Sequence, residues 1–343
     1  MCYKSEKQIK NAEKLQKKFY EENTPLFIQK FFIDIDSKLG AINYWSALRD
    51  LFIWLIENKI IRKNEISELT PDDFCNIDPQ DIKLYLIYKE QNGMLKSTLN
   101  TRKNIFSSFW EYMVNTNLCP IEKNIIKNVK YKKKNFNNNV VKKMPNELQL
   151  QEMKENIMKK KEEFVRIRNL CIIEILMGTG MRVSELAGLD IVDLFIKEKD
   201  YHFIGEKLPC IKIIGKGAYS KDEFRIIYLT GNAVKSLKEW IDYRKTINNI
   251  IDEDALFINK NGKRLNEYNI QSIFKTYGNG ITPHMVRHWY ATVISNTGNL
   301  AFVQQQLGHV STDVTIKNYV DGSYKMKEIL DFLKQKKNVL LKD

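Results

Sequence analysis

The sequence predicts a mainly α-helical chain with a small antiparallel β-sheet, laid out as a helical domain followed by a mixed α+β domain. Three observations carry that fold class. Helix start signals and helically spaced apolar residues fill the stretch from Thr24 to Met113. A Lys- and Asn-rich stretch with few apolar residues interrupts the chain from Lys127 to Lys143. Alternating or β-branched runs then sit between helical stretches, around Val192 to Ile196, Cys210 to Ile214 and Phe224 to Leu229. At 343 residues the chain exceeds one small core and suits two domains of ordinary size.

Residues 1–23 are polar and of mixed charge, and Met1 to Lys10 lacks the apolar core of a signal peptide, so they read as a charged extension. Thr24-Pro25 has the form of an N-cap followed by proline at the first helical position, predicting a helix to about Ser37. Trp45, Leu48, Phe52, Leu55 and Ile56 recur at helical spacing. Asp78-Pro79 repeats the start signal, and Gly93 closes that helix. A fourth helix begins at Ser97 and sets Leu99, Ile105, Phe109, Trp110 and Met113 largely on one side. These aromatics read as core, and residues 24–130 as a helical bundle. Residues 131–144 read as an exposed basic linker holding YKKKNFNNNVVKK. Such charge runs are usually only solvated, but a place between two domains puts Lys132, Lys133, Lys134, Lys142 and Lys143 forward as phosphate contacts. In residues 145–343, helices at Glu147 to Met158 and Val165 to Met177 lead to the turn Gly178-Thr179-Gly180. The three strand-like runs follow, and helices resume from Gly231 and dominate to the C-terminus.

Composition narrows the function classes. A hydrophobic fraction of 43% with no apolar run near the roughly 18 residues of a membrane span predicts a soluble protein with no membrane partner. Five scattered cysteines without Cys-x-x-Cys spacing indicate neither a disulfide framework nor a zinc site, which fits a reducing cytoplasm. The net charge of +13 suits a polyanionic partner, although an AT-rich genome would also enrich Lys, Asn and Ile. Neither G-x-G-x-x-G nor G-x-x-x-x-G-K-[ST] occurs, so no nucleotide loop is indicated.

Four pieces of sequence bear on chemistry, and each has a bland reading. In Gly180-Met181-Arg182-Val183-Ser184-Glu185-Leu186, an arginine opens a short helix and Glu185 stands one turn later, where it can orient the guanidinium or form an ordinary surface ion pair. Gly215-Lys216-Gly217 ends a strand-like run; a hairpin lysine is commonly just solvated, but the flanking glycines allow close approach to a ligand. In Thr282-Pro283-His284-Met285-Val286-Arg287-His288, the N-cap and Pro283 start a helix whose first turns carry His284 and Arg287 on one face, where free N–H groups favour an anion. His288, four residues after His284, could suggest a metal pair, but no carboxylate in that helix completes a zinc motif, and it reads as a supporting or core histidine. Last come Leu307-Gly308-His309 and, ten residues after His309, Tyr319. Tyr319 is one of 16 tyrosines; it is set apart by following a segment, His284 to His309, that holds three of the four histidines.

The order Arg, Lys, His-x-x-Arg, Leu-Gly-His, Tyr resembles the catalytic signature of the tyrosine recombinase and integrase family, with closest likeness to Xer-type and mobile-element members. It covers about Glu147 to Val320, and the helical N-terminal part is similar to that family's core-binding domain. The resemblance implies that Arg182 and Arg287 clamp a scissile phosphate, that His284 and His309 bond to it or handle protons, that Lys216 protonates the leaving 5′ oxygen, that Tyr319 is the nucleophile, and that Glu185 supports from behind. It further implies a catalytic domain over 145–343, cleavage and rejoining of duplex DNA at inverted-repeat sites through a 3′-phosphotyrosyl intermediate and Holliday junction, and a homotetramer on two such sites, with a helper protein left open. Metal, ATP and other cofactors are not implied; the site is the bacterial nucleoid. Departures are a longer segment from Lys216 to Arg225, which makes Lys221 a competing acid, Val286 where leucine is usual, and Trp289-Tyr290 in place of a smaller pair.

The chemistry is coherent in its own terms. A phosphodiester repels nucleophiles by its charge, which two bidentate arginines offset. A tyrosine hydroxyl, with a pKa of about 10, needs a cationic site or a base to react. Its phosphate ester retains the energy of the broken bond, so rejoining requires no ATP. A related type IB-like topoisomerase would use the same residues without exchanging partners, an inert DNA-binding protein would have lost one of the six key side chains, and a metal-dependent nuclease would need clustered carboxylates that the sequence does not offer.

Overall fold

The computed structural model describes residues 3–118, 123–131, 144–214, 224–295 and 306–307. The chain divides into two compact units, one within residues 3–140 and the other within 141–343. Among the described residues no helix is long and apolar enough to cross a membrane.

The first unit is helical: α1 (Tyr3–Glu21), α2 (Leu26–Phe31), α3 (Lys38–Glu57), α4 (Pro79–Gln91) and α5 (Lys96–Asn115). Residues 3–21, read from sequence as part of a charged extension, instead form a helix packed on α3. Asn11, Leu15 and Phe19, four apart, make a narrow buried stripe through otherwise charged sequence. Helix α2 stops at Phe31, short of the predicted Ser37, because Ser37 takes an extended conformation and caps α3 by accepting a hydrogen bond from Gly40 N at 3.1 Å. Helix α4 starts as expected: Asp78 accepts from Gln80 N at 2.7 Å, Asp81 accepts from Asp78 N at 2.9 Å, and Pro79 takes the first helical position. Trp45, Phe52, Phe74, Phe109 and Trp110 are buried together, with Phe109 lying 5.5 Å from both Phe52 and Phe74 in tilted or edge contacts. Behind that core, the Asp50 carboxylate accepts from Tyr85 at 3.0 Å, from Lys89 at 2.7 Å and from Arg102, tying α3, α4 and α5 together.

The second unit opens with α6 (Glu147–Met158), capped reciprocally by Asn146 and Gln149, and α7 (Glu163–Thr179). A short α8 (Val183–Ala187), strand β1 (Leu194–Phe195), α9 (Glu198–Phe203), β2 (Cys210–Ile214) and β3 (Phe224–Tyr228) follow. The sheet is antiparallel in the order β1-β2-β3, with Leu194 opposite Ile211 and Cys210 opposite Tyr228. Three more helices complete the described residues, α10 (Ala233–Arg244), α11 (Glu267–Tyr277) and α12 (Pro283–Ser295). Buried α7 is the spine of this unit, packing against α6, α10 and α12. Its last turn needs small residues. A Cβ on Gly178 would lie 2.6 Å from Thr230 O, and Gly180 ends the helix in the left-handed region at φ +60°.

Candidate active site

That glycine turn delivers Arg182. Thr179 accepts from Met181 N at 3.3 Å, Met181 is buried, and Arg182 becomes the extended residue ahead of α8. Glu185, three residues on, reaches back: one carboxylate oxygen accepts from Arg182 N at 2.7 Å and the other from Arg182 Nη1 at 2.9 Å. Glu185 is nearly inaccessible while the Arg182 side chain stays 28% exposed. The guanidinium is therefore fastened by a buried carboxylate while part of it stays exposed, which is more than a surface ion pair.

Arg287 arrives from α12. Thr282 accepts from Met285 N at 3.3 Å at the start of that helix, with Pro283 in its first turn. Arg287 is buried, donating from Nη1 to Gly180 O and from Nη2 to Leu307 O, both at 2.7 Å. Burial pushes its pKa down to about 10, and Arg182 nearby pushes the same way while Glu185 opposes. It is still cationic near neutrality. Gly180 matters twice here, because Tyr290, one turn after Arg287, is fully enclosed against it; a Cβ on Gly180 would lie 2.2 Å from the Tyr290 ring.

His284 is exposed on the same helix, and its Nε2 lies 2.9 Å from Nε2 of His288. For the two rings to bond, one nitrogen must carry the proton and the other present a lone pair. Arg182, His284 and Arg287 all line one cleft of about 870 Å³, together with Ser184, Tyr268, Gln271 and Lys275. A cleft with these cations is suited to an anion.

Of the other sequence-predicted residues, Lys132, Lys133, Lys134, Lys142, Lys143, Lys216, Lys221, His309 and Tyr319 lie outside the described residues. Sequence reasoning missed Arg225. It donates from Nη2 to Glu185 at 3.0 Å and from Nη1 to Gln306 O at 2.6 Å. A signal was present: Arg225 and Ile227 share one strand face, and an arginine on a core-facing position needs a buried acceptor.

Residues 146–326, more than half the chain, match the phage integrase family. The tyrosine recombinase XerC of Psychromonas ingrahamii is 26% identical over 286 residues, covering 81% of this chain and 84% of that protein. XerC of Escherichia coli O127:H6 is 28% identical over the same extent, with the same coverage. Among solved structures, the XerH site-specific recombinase bound to its difH substrate superposes with a TM-score of 0.58 at 23% identity, over 84% of this chain and 81% of that one. The Tn1549 transposon integrase in complex with circular intermediate DNA gives 0.52 at 19% identity, over 82% of this chain and 97% of that one. A mainly helical chain with a small antiparallel sheet, a cationic cleft and this family match make the protein a tyrosine recombinase of the phage integrase family, an enzyme that transfers DNA strands.

Proposed function

We propose that the protein cleaves and rejoins duplex DNA at an inverted-repeat site through a 3′-phosphotyrosyl bond to Tyr319, and exchanges strands in pairs through a Holliday junction. The observation that carries this reading is the cleft in which Arg182 and Arg287 converge with His284, each arginine anchored on its far side. Two such guanidinium groups neutralise a phosphate and remain in place as charge builds in the transition state. His284 and His309 bond to the phosphate or move protons. Lys216 supplies the proton to the leaving 5′ oxygen. His288 supports His284, and Glu185 supports Arg182.

The XerH and Tn1549 proteins were solved with DNA, and DNA is the partner proposed for this chain as well. Residues 24–130 and 145–343 would both engage the duplex, joined by the basic linker 131–144 whose Lys132, Lys133, Lys134, Lys142 and Lys143 follow the phosphates. Four protomers on two sites perform the exchange. The segment Tyr324 to Leu333, with Met326, Ile329, Leu330 and Leu333 at helical spacing, docks on a neighbouring protomer or on its own.

The test uses a nicked duplex built from inverted repeats found beside the gene. Wild type should form a covalent protein–DNA complex in excess EDTA and without ATP, while Tyr319→Phe binds the duplex but forms none. A covalent complex in Tyr319→Phe removes the nucleophile assignment, and loss of cleavage under chelation that a divalent ion restores removes the proposed chemistry. Relaxed supercoils without exchanged partners would make the protein a topoisomerase.

A further inference from the structure

We propose that Arg225 is a positioning residue of the strand-transfer site, setting the geometry of both cleft arginines without touching DNA. The inference rests on the reading of the cleft given above. In the sheet register Arg225 stands opposite Ile213, and Ile211, Ile213 and Ile227 are almost fully buried, so its guanidinium emerges from the core face of β3. Burial lowers its pKa, and Glu185 opposes that. The fork divides between two acceptors, Glu185 through Nη2 at 3.0 Å and Gln306 O through Nη1 at 2.6 Å.

Each acceptor leads to a cleft arginine. The Glu185 oxygen that accepts from Arg225 also accepts from Arg182 Nη1 at 2.9 Å, so this carboxylate is shared between two guanidinium groups. Without Arg225, an enclosed carboxylate would have to draw more of Arg182 inward, away from the cleft. The other acceptor, Gln306 O, immediately precedes Leu307 O, to which Arg287 donates at 2.7 Å. Arg225 and Arg287 thus hold consecutive carbonyls of the chain that runs on to Gly308 and His309. A lysine could retain the charge, but its single ammonium does not reproduce a planar fork spanning two acceptors.

The experiment measures the single-turnover rate of covalent complex formation at saturating nicked duplex, together with duplex affinity, in full-length protein. Wild type must form the complex and Tyr319→Phe must not; a wild type that forms none overturns the reading of the cleft and this inference with it. Given that complex, Arg225→Ala should slow its formation by roughly 10- to 100-fold, the scale of an ångström-sized misplacement, with duplex affinity within about threefold of wild type. Arg225→Lys should remain close to Arg225→Ala. The double variant Glu185→Gln with Arg225→Met, which leaves no unpaired charge of that pair, should be no slower than the slower of its two single variants. If Arg225→Ala does not fold, Arg225→Lys and the double variant carry the comparison. The proposal is overturned by a rate within about threefold of wild type in Arg225→Ala, by rate and affinity falling in parallel, by a wild-type rate in Arg225→Lys, or by rate defects that multiply in the double variant.

Discussion

Gly180→Ala is the substitution through which the fold bears most directly on the cleft. Gly180 sits at φ +60°, where an L-residue costs about 1–2 kcal/mol. The added Cβ would also lie 2.2 Å and 2.9 Å from Tyr290 ring atoms and 3.0 Å from the Leu307 side chain. Tyr290 and Leu307 are buried, so neither can swing clear, and overpacking of this kind adds roughly 1–3 kcal/mol. The sum is about 2–5 kcal/mol, or roughly 5–15 °C in the unfolding temperature of a unit this size. Gly205→Ala supplies the reference: Gly205 has φ +79° and nothing within 4 Å of an added Cβ, so it bears the backbone cost of about 1–2 kcal/mol alone. Function should separate the two variants further. Gly180 O and Leu307 O hold Arg287, each at 2.7 Å, and a forced shift at both should slow covalent complex formation by up to ~10²-fold, while Gly205→Ala cleaves at the wild-type rate. Thermal unfolding and single-turnover cleavage of the two variants check this. A Gly180→Ala protein that unfolds with Gly205→Ala and cleaves as fast as wild type refutes the reasoning.

Other outcomes follow from the same site. Replacing Lys132, Lys133 and Lys134 by alanine should reduce the salt dependence of duplex binding by roughly one unit of slope for each phosphate no longer neutralised, and an unchanged slope means the linker only spans the gap. Lys216→Ala should cleave ordinary DNA very slowly and recover on a 5′-bridging phosphorothiolate, whose sulfur leaves without a proton; recovery confined to Lys221→Ala would exchange the two assignments. Burial sets the Arg287 pKa at about 10, below its ordinary value, so the folded site stays cationic through neutral pH and loses that charge only as pH rises through about 10. Because the folded value is the lower one, stability from this group increases with pH between the two values. Cleavage should thus decline near pH 10 without unfolding caused by Arg287, and a decline beginning near pH 8 with DNA saturating would assign the titration to another group.

Local spacing rules made much of this molecule legible. Asp78-Pro79 was readable as a helix start, because a cap is made between residues two or three apart. Arg182 with Glu185, and His284 with Arg287, were readable for the same reason: one helical turn brings them together. The reading failed where packing overrode polarity. Residues 3–21 looked like a charged extension because only Leu15 and Phe19, with Asn11, make their buried stripe, too thin to detect among the lysines and glutamates. The partners of Arg287 were beyond local rules altogether, since Gly180 lies 107 residues away and Leu307 lies 20.

Those distant partners explain how the cleft can hold charge at all. A buried arginine is commonly stabilised by a carboxylate, which would cancel the charge that a phosphate needs. Arg287 is instead held by two backbone carbonyls, which satisfy its N–H groups and fix its plane while leaving its full positive charge. Arg182 does have a carboxylate, but Arg225 shares it. Among the described residues, Glu185 is thus divided between two guanidinium groups, while the third, Arg287, donates to backbone carbonyls. Attack on a phosphodiester builds further negative charge on the phosphorane-like transition state, so guanidinium groups already fixed in place stabilise that state more than the singly charged starting ester. Arg225 therefore contributes twice in this arrangement, once by geometry and once by keeping Glu185 from neutralising Arg182.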